Sequence, residues 1–144
     1  MDIKKVVVIG SGTMGSGIAA HLCNAKVPVT LLDLTTEISK KARDRIFKSK
    51  PPLLLDKSQI DHIKVGNIND NFDVVKEADW VVEAVVERID IKHNIYEKIF
   101  KNRKEGAIVS SNTSSIPIKV LSEKLTTEEK KDFCITHFFN PVRY

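Results

Sequence analysis

The chain has 144 residues, of which 42% are hydrophobic and 29% are charged. This balance is typical of one globular domain with a buried core, and it excludes disordered and fibrous proteins. The net charge is only +4, since 19 acidic residues are mixed with 23 basic ones, so no nucleic-acid partner is predicted. No apolar run is long enough for a transmembrane helix and no signal-peptide pattern opens the chain, so we expect no membrane partner.

The two cysteines, Cys23 and Cys134, lie in apolar segments far apart in the sequence. Free cysteine behaves as a small hydrophobic side chain and is usually buried in such surroundings. We therefore expect two reduced thiols rather than a disulfide, and a reducing cytoplasmic location.

The N-terminal half alternates short β-branched runs with longer segments of helical period. In one of these segments Ile38, Ala42 and Ile46 recur every four residues on one helix face. That helix must end at Pro51, because proline lacks the backbone donor that a helix needs. The elements predicted in this half are a strand at 5–10, a helix at 13–24, a strand at 29–33, a helix at 37–49, a short helix at 57–62, a short strand at 63–65 and a short helix at 72–77.

The C-terminal half begins with a nearly unbroken apolar run at 80–86, which predicts a strand covered on both faces. The elements predicted after it are a helix at 87–101, a strand at 107–110, a helix at 117–125 with Ser115 as its N-cap, and a strand at 133–139. Strands separated mostly by helices predict an α/β fold with a doubly wound, mostly parallel sheet. All 144 residues are expected to form this one domain.

A glycine-rich loop follows the first predicted strand and opens the first helix. It fits the pattern G-x-G-x-x-G with the residues Gly10, Ser11, Gly12, Thr13, Met14 and Gly15. In this context the glycines allow a tight turn, a close approach of the backbone to a pyrophosphate and close helix packing, while the helix N-terminus attracts the anion. The pattern predicts a Rossmann-type dinucleotide-binding domain.

Asp33 ends the next predicted strand, where it would accept hydrogen bonds from the adenosine ribose hydroxyls. Neither Leu34 nor Thr35 supplies an arginine for a 2′-phosphate, so NAD is favoured over NADP. The structural alternative is that the glycines merely make a turn and that Asp33 caps a helix.

Three downstream segments carry candidate chemistry, and each lies at or runs out of the carboxyl end of a predicted strand. They are the segment 81–87 with Lys92, the segment Ser111-Asn112-Thr113-Ser114-Ser115, and the segment His137-Phe138-Phe139-Asn140-Pro141. In an open α/β sheet, ligands bind at this edge. No metal site is predicted.

With the glycine loop, these motifs make the sequence resemble the 3-hydroxyacyl-CoA dehydrogenase family over essentially its whole length, in the NAD-binding N-terminal domain. Lys50-Pro51-Pro52 and the final Pro-Val-Arg-Tyr are closest to the larger bacterial members. The resemblance implies a hydride transfer between NAD and a 3-hydroxyacyl-CoA or 3-ketoacyl-CoA, as in fatty-acid β-oxidation. It implies these roles: His137 is the general base, Ser114 binds the reacting oxygen and borders the nicotinamide, Glu87 and Lys92 contact the nicotinamide-side ribose, and Asn140 shapes the same pocket.

The resemblance also implies that this domain would lack two parts that the family uses in catalysis. In the family the histidine works with a carboxylate further along the chain, and a helical domain closes over the substrate and makes the dimer contact. We therefore expect a domain that binds cofactor but turns over poorly by itself, within a full-length protein that is a homo-oligomer or part of a multifunctional chain.

Simpler interpretations stay open for several residues. His137 stands beside two phenylalanines and could be a packed core histidine, Ser114 or Ser115 could cap a helix, and Glu83 could be a buried structural carboxylate. The basic face formed by Lys41, Arg45 and Lys48 is either solvated or attractive to CoA phosphates. The alternative functions are a related β-hydroxyacid or sugar-nucleotide dehydrogenase and a non-catalytic NAD-binding module.

Overall fold

The computed structural model describes residues 1–144. Six strands form one sheet in the order β3-β2-β1-β4-β5-β6, and every neighbouring pair is parallel. The strands are β1 (Val6–Ile9), β2 (Val29–Asp33), β3 (Ile63–Asn67), β4 (Trp80–Glu83), β5 (Ile108–Ser111) and β6 (Phe133–Ile135). The doubly wound α/β fold expected from the sequence is confirmed.

Helices make the connections between the strands. The α-helices are α1 (Thr13–Asn24), α2 (Thr36–Lys48), α3 (Ile89–Asn102), α4 (Ile118–Leu121) and α5 (Thr127–Lys130), and 3₁₀ helices occupy Lys57–His62 and Phe72–Glu77. None of these helices has the length and apolar character needed to cross a membrane.

The core lies on both faces of the sheet, because the side chains of a strand alternate between its faces. In β1, Val6 and Val8 pack into one apolar cluster with Ile18 of α1. Val7 and Ile9 pack into a second cluster with residues of α3. All four residues of β1 are buried, which explains why this strand is apolar at every position.

The turn between β1 and α1 depends on two glycines. Gly10 has a φ of +102°, and a Cβ there would lie 2.4 Å from the carbonyl oxygen of Ala84. A Cβ at Gly15 would lie only 1.7 Å from the carbonyl oxygen of Gly10. The first turn of α1 can therefore pack directly on the loop that precedes it.

Two predicted strands are too long. The strand predicted at 80–86 ends at Glu83, where the backbone N–H of Val85 turns to the Glu83 carboxylate and Val86 is exposed. The strand predicted at 133–139 ends at Ile135. In both segments apolar residues beyond the strand line an open cleft, where Val85 and Phe138 also pack against the core.

The helix predicted at 117–125 is also wrong in its length and its cap. It spans only Ile118–Leu121, and its N-cap is Pro117, whose side chain cannot accept a hydrogen bond. The Ser115 hydroxyl donates to Glu87. A further helix that the sequence analysis missed, α5, opens with a capping box between Thr126 and Glu129. Its four residues are too few to show a helical period.

Both cysteines carry free thiols, Cys23 buried and Cys134 partly buried. Burial raises the pKa of each thiol above its ordinary value, because the charged thiolate loses hydration. These two residues therefore act as packing side chains.

The glycine packing makes a prediction about stability. Gly15→Ala should lower the free energy of unfolding by at least about 2 kcal/mol, because the new methyl group meets a backbone carbonyl. Gly12→Ala is the matched control, since a Cβ there meets nothing within 4 Å, and it should cost no more than about 1 kcal/mol. Urea unfolding of both variants tests this, and equal losses would show that the close approach is not what constrains the loop.

Candidate functional site

A cleft opens at the carboxyl edge of the sheet, at the point where the strand order reverses. β1 is followed on one side by β2 and on the other by β4, so the loops leaving β1 and β4 part at this point. The cleft has a volume of about 820 Å³, within the range of small-molecule sites. Ligands of open α/β sheets bind at such a reversal point.

The floor of the cleft is the loop from Gly10 to the start of α1. No protein acceptor takes the backbone N–H groups of Gly12, Thr13, Met14 or Gly15, and α1 has no acidic residue in its first turn. A Cβ at Gly12 would point into open space. Free N–H groups, a positive helix terminus and unfilled space together fit a pyrophosphate.

Asp33 lies at the end of β2, at the side of the cleft. Its Oδ2 accepts from the backbone N–H of Ser11 at 2.7 Å and from the Ser11 hydroxyl at 2.5 Å, and its Oδ1 accepts from the N–H of Leu34 at 2.7 Å. The carboxylate keeps one unused lone pair, on Oδ1, for a ribose hydroxyl. The N-cap of α2 is Thr35, so the helix-cap alternative for Asp33 is wrong.

The basic face of α2 divides into two environments. Lys41 and Lys48 are exposed and make no hydrogen bond, as on a solvated face. Arg45 instead lines the cleft, and its Nη2 donates to the carbonyl oxygen of Ser11 at 3.0 Å. No local pattern in the sequence indicates this arginine, because Arg45 extends to the cleft from α2 and not from the residues next to Asp33.

The opposite wall is built on a buried carboxylate. Glu83 is fully buried and accepts from Lys92 Nζ at 2.6 Å, from the Ser111 hydroxyl at 2.6 Å, from the N–H of Val85 at 2.9 Å and from the Tyr96 hydroxyl. Burial, and then the negative charge of Glu83, raises the pKa of the Tyr96 hydroxyl, so the phenol stays a donor. The expectation that Glu83 is a buried structural carboxylate is confirmed.

Lys92 links this buried carboxylate to the surface of the cleft. Its side chain is only 1% exposed, and its Nζ lies 3.0 Å from Glu87 Oε1 as well as beside Glu83. Glu87 Oε2 accepts from the hydroxyls of Thr113 at 2.8 Å and Ser115 at 3.1 Å. Lys92 therefore lies beneath Glu87, so the structure does not present its ammonium to a ligand as the sequence analysis expected.

The carboxyl of Glu87 is held in its charged form. Its partial burial acts to raise its pKa, but hydrogen bonds from Thr113 and Lys92 and the charge of Lys92 outweigh that effect, so the pKa lies below its ordinary value. Glu87 is still exposed enough to meet a ligand, with 41% of its side chain accessible. It is a fixed anionic acceptor at the rim of the cleft.

His137 follows β6 and lies at the far end of the cleft. It is exposed, its ring makes no hydrogen bond, and its centroid lies 4.9 Å from the ring of Phe139, so the packed-histidine alternative is wrong. The sequence analysis gave no role to Asn112, whose Oδ1 accepts from the N–H of Phe138 at 2.9 Å and ties this loop to β5. Ser114 and Asn140 are exposed on the same lining.

The structure thus brings nearly all the residues proposed from the sequence around one cleft. The lining includes Gly10, Ser11, Gly12, Thr13, Met14, Asp33, Glu87, Lys92, Ser114, His137 and Asn140. Gly15 is outside the lining and packs behind the loop against the Gly10 carbonyl, and Lys92 reaches the lining only from beneath Glu87. Of the serines proposed as helix caps, neither Ser114 nor Ser115 caps α4.

Comparison with known proteins identifies the same fold and family. The family model for the 3-hydroxyacyl-CoA dehydrogenase NAD-binding domain matches residues 5–144. A Rickettsia felis protein, provisionally named a fatty acid oxidation complex trifunctional enzyme, is 45% identical over 99% of this chain and 21% of its own length. A probable 3-hydroxyacyl-CoA dehydrogenase of Deinococcus radiodurans is 41% identical over 100% of this chain and 44% of its own length.

A solved structure gives the same result. The (S)-3-hydroxybutyryl-CoA dehydrogenase of Ralstonia eutropha superposes with a TM-score of 0.81 and 33% identity, over 98% of this chain and 51% of that one. The chain thus spans about half or less of the relatives it matches. Sequence, fold and cleft agree that the chain belongs to the 3-hydroxyacyl-CoA dehydrogenase family, as its NAD-binding domain.

Proposed function

We propose that this domain serves an enzyme that interconverts 3-hydroxyacyl-CoA and 3-ketoacyl-CoA with NAD. The observation that carries the proposal is the meeting of two features in one cleft: the free N–H groups that open α1 and the exposed imidazole of His137. The anion-binding N–H groups at the start of α1 would, by themselves, fit any nucleotide-binding protein. A histidine beside it adds a group that can move a proton.

Different residues of the cleft bind different parts of the cofactor. The N–H groups of Gly12, Thr13 and Met14 bind the pyrophosphate, Asp33 accepts from the adenosine ribose, and Glu87 accepts from the nicotinamide-side ribose. When bound, NAD supplies the hydride acceptor for oxidation of the alcohol. The charged state of Glu87 suits this role, because an ionised acceptor makes stronger hydrogen bonds than a neutral one.

His137 acts as the general base. A ring nitrogen of His137 takes the proton of the substrate 3-hydroxyl as that alcohol is oxidised, and returns it to the oxygen in the reverse reaction. Imidazole suits this work because it exchanges a proton near neutral pH. Ser114 donates to the reacting oxygen, and Asn140 shapes the wall next to it.

The substrate class comes from the relatives. The Ralstonia enzyme is named for a 3-hydroxybutyryl-CoA, and the Rickettsia protein is named for fatty acid oxidation. We infer that this domain handles an acyl-CoA in fatty-acid β-oxidation. We also infer a full-length protein that is a homo-oligomer or part of a multifunctional chain, in the cytoplasm, where the free thiols of Cys23 and Cys134 would stay reduced.

The role of Lys92 is to hold Glu87. An ammonium that is 1% exposed and lies within 3.0 Å of two carboxylates reaches the cofactor only through Glu87. Lys92 also neutralises Glu83, which has no access to water. Removal of Lys92 would leave an unpaired charge in the core.

Replacing the proposed base separates the candidate functions. His137→Gln in the full-length natural protein should lower kcat for acetoacetyl-CoA reduction by about 10²- to 10⁴-fold, because the proton has no acceptor or donor of the right kind. The Kd for NADH should change by less than about twofold, since the substitution leaves the pyrophosphate cradle intact. Steady-state kinetics and NADH fluorescence titration measure the two quantities.

His93→Gln is the matched control, because that imidazole lies on α3 and pairs with the carbonyl of Val120, away from the cleft. It should leave kcat unchanged. If His137→Gln keeps full turnover, another residue is the base. If the unaltered protein binds NADH but no acyl-CoA, the domain is a non-catalytic module.

The buried ion pair makes a separate prediction. Lys92→Met should lower the free energy of unfolding by about 3–5 kcal/mol, because the Glu83 carboxylate loses its partner, whereas Lys101→Met on the exposed face of α3 should have little effect. Adding Glu83→Gln to Lys92→Met should recover part of the loss. Urea unfolding measures all three, and a Lys92→Met protein of normal stability would contradict the buried position of Lys92.

A further inference from the structure

Ser11 occupies the first variable position of the glycine loop and is 1% exposed. Two of its donors, the backbone N–H and the hydroxyl, point at one oxygen of Asp33, at 2.7 Å and 2.5 Å. Because the N–H of Ser11 is used in this way, it is not offered to a pyrophosphate. Ser11 thus faces the carboxylate that we assign to the adenosine ribose.

The other side of Ser11 is held as well. Its carbonyl oxygen accepts from the Ser16 hydroxyl at 2.9 Å and from Arg45 Nη2 at 3.0 Å. The residue is therefore fixed between α1, α2 and the end of β2. A hydroxyl on so rigid a support can hold Asp33 in one orientation.

We propose that the Ser11 hydroxyl strengthens the preference for NAD over NADP by joining the backbone N–H groups of Ser11 and Leu34 in holding the carboxylate of Asp33. The inference rests on the proposed binding of the adenosine ribose at Asp33, and it is independent of the dehydrogenase reaction. Ser11 acts through Asp33, as a positioning residue.

The physical reason is that a 2′-phosphate would repel the negatively charged carboxylate of Asp33. The carboxylate could reduce this repulsion only by turning away from the phosphate. With three donors on its two oxygens, the carboxylate cannot rotate without breaking charge-assisted hydrogen bonds. For a ribose hydroxyl this rigidity favours binding, because little side-chain freedom is lost when the hydroxyl donates to Oδ1. For a 2′-phosphate it keeps a like charge in place.

The test compares two serine-to-alanine changes that each remove a hydroxyl donating to an aspartate. Ser11→Ala removes the hydroxyl that helps to hold Asp33, whereas Ser58→Ala removes a hydroxyl that donates to Asp56, outside the cleft. The probes are NADH and NADPH, titrated by the fluorescence of the reduced nicotinamide on the unmodified chain and on each variant. Ser11→Gly, which keeps the N–H and adds no bulk, serves as a second variant if Ser11→Ala does not fold.

The expected result is a change in the ratio of the two affinities. Ser11→Ala should weaken NADH binding about threefold to tenfold, the effect of removing one of the three hydrogen bonds that orient Asp33, while NADPH binding stays equal or tightens. Ser58→Ala should leave the ratio unchanged. A loss shared equally by both nucleotides, or an unchanged ratio in both Ser11 variants, would overturn the proposal and leave Ser11 a structural residue.

The outcomes also distinguish this inference from the proposed function. If the unmodified chain binds neither nucleotide, the assignment of Asp33 to the ribose fails and this inference fails with it. If NADH binds and only the Ser11 variants fail to change the ratio, NAD binding stands and the role of Ser11 alone is wrong.

Discussion

The close approach of α1 to the loop before it determines where the site can be. Gly15 packs against the carbonyl of Gly10, and Gly10 itself lies against the carbonyl of Ala84 in the segment that leaves β4. These contacts bring the start of α1 to the edge of the sheet, where its free N–H groups open into the cleft. A side chain at either glycine would push the helix away, and the anion cradle would lose its shape. The cofactor site therefore depends on backbone packing more than on any side chain.

The second wall of the cleft is stabilised differently, by charges that are buried and paired. Glu83 has four donors and Lys92 contacts two carboxylates, so neither charge is left without a partner. The exposed member of the network, Glu87, is held from below by Lys92 and from the side by Thr113. The cleft thus has a floor of backbone N–H groups and one wall with a fixed carboxylate. This polarity matches a ligand with a pyrophosphate at one point and ribose hydroxyls at another.

Much of the fold could be predicted because, in the first half of the chain, the different local sequence signals indicate the same secondary structure. The predicted ranges of α1 and β2 agree with the structure, since period, turn residues and glycine loop all indicate the same boundaries. The strands ending at Glu83 and Ile135 were overestimated because apolar residues that line a cleft resemble residues that continue a strand. The burial of Lys92 and the contact of Arg45 with the glycine loop result from tertiary packing. Each depends on which helix packs beside which loop. No local pattern of a single sequence carries that information.

In the proposed function, the nicotinamide end of NAD lies beside His137 while the pyrophosphate rests on the start of α1. Nuclear magnetic resonance of the isotope-labelled chain tests it by comparing NAD⁺ with ADP-ribose, which has the same pyrophosphate and adenosine but no nicotinamide. Both ligands should shift the amide signals of Gly12, Thr13 and Met14, and only NAD⁺ should shift the imidazole signals of His137. His137 signals that do not shift with NAD⁺, or that shift equally with both ligands, would contradict this placement of the nicotinamide.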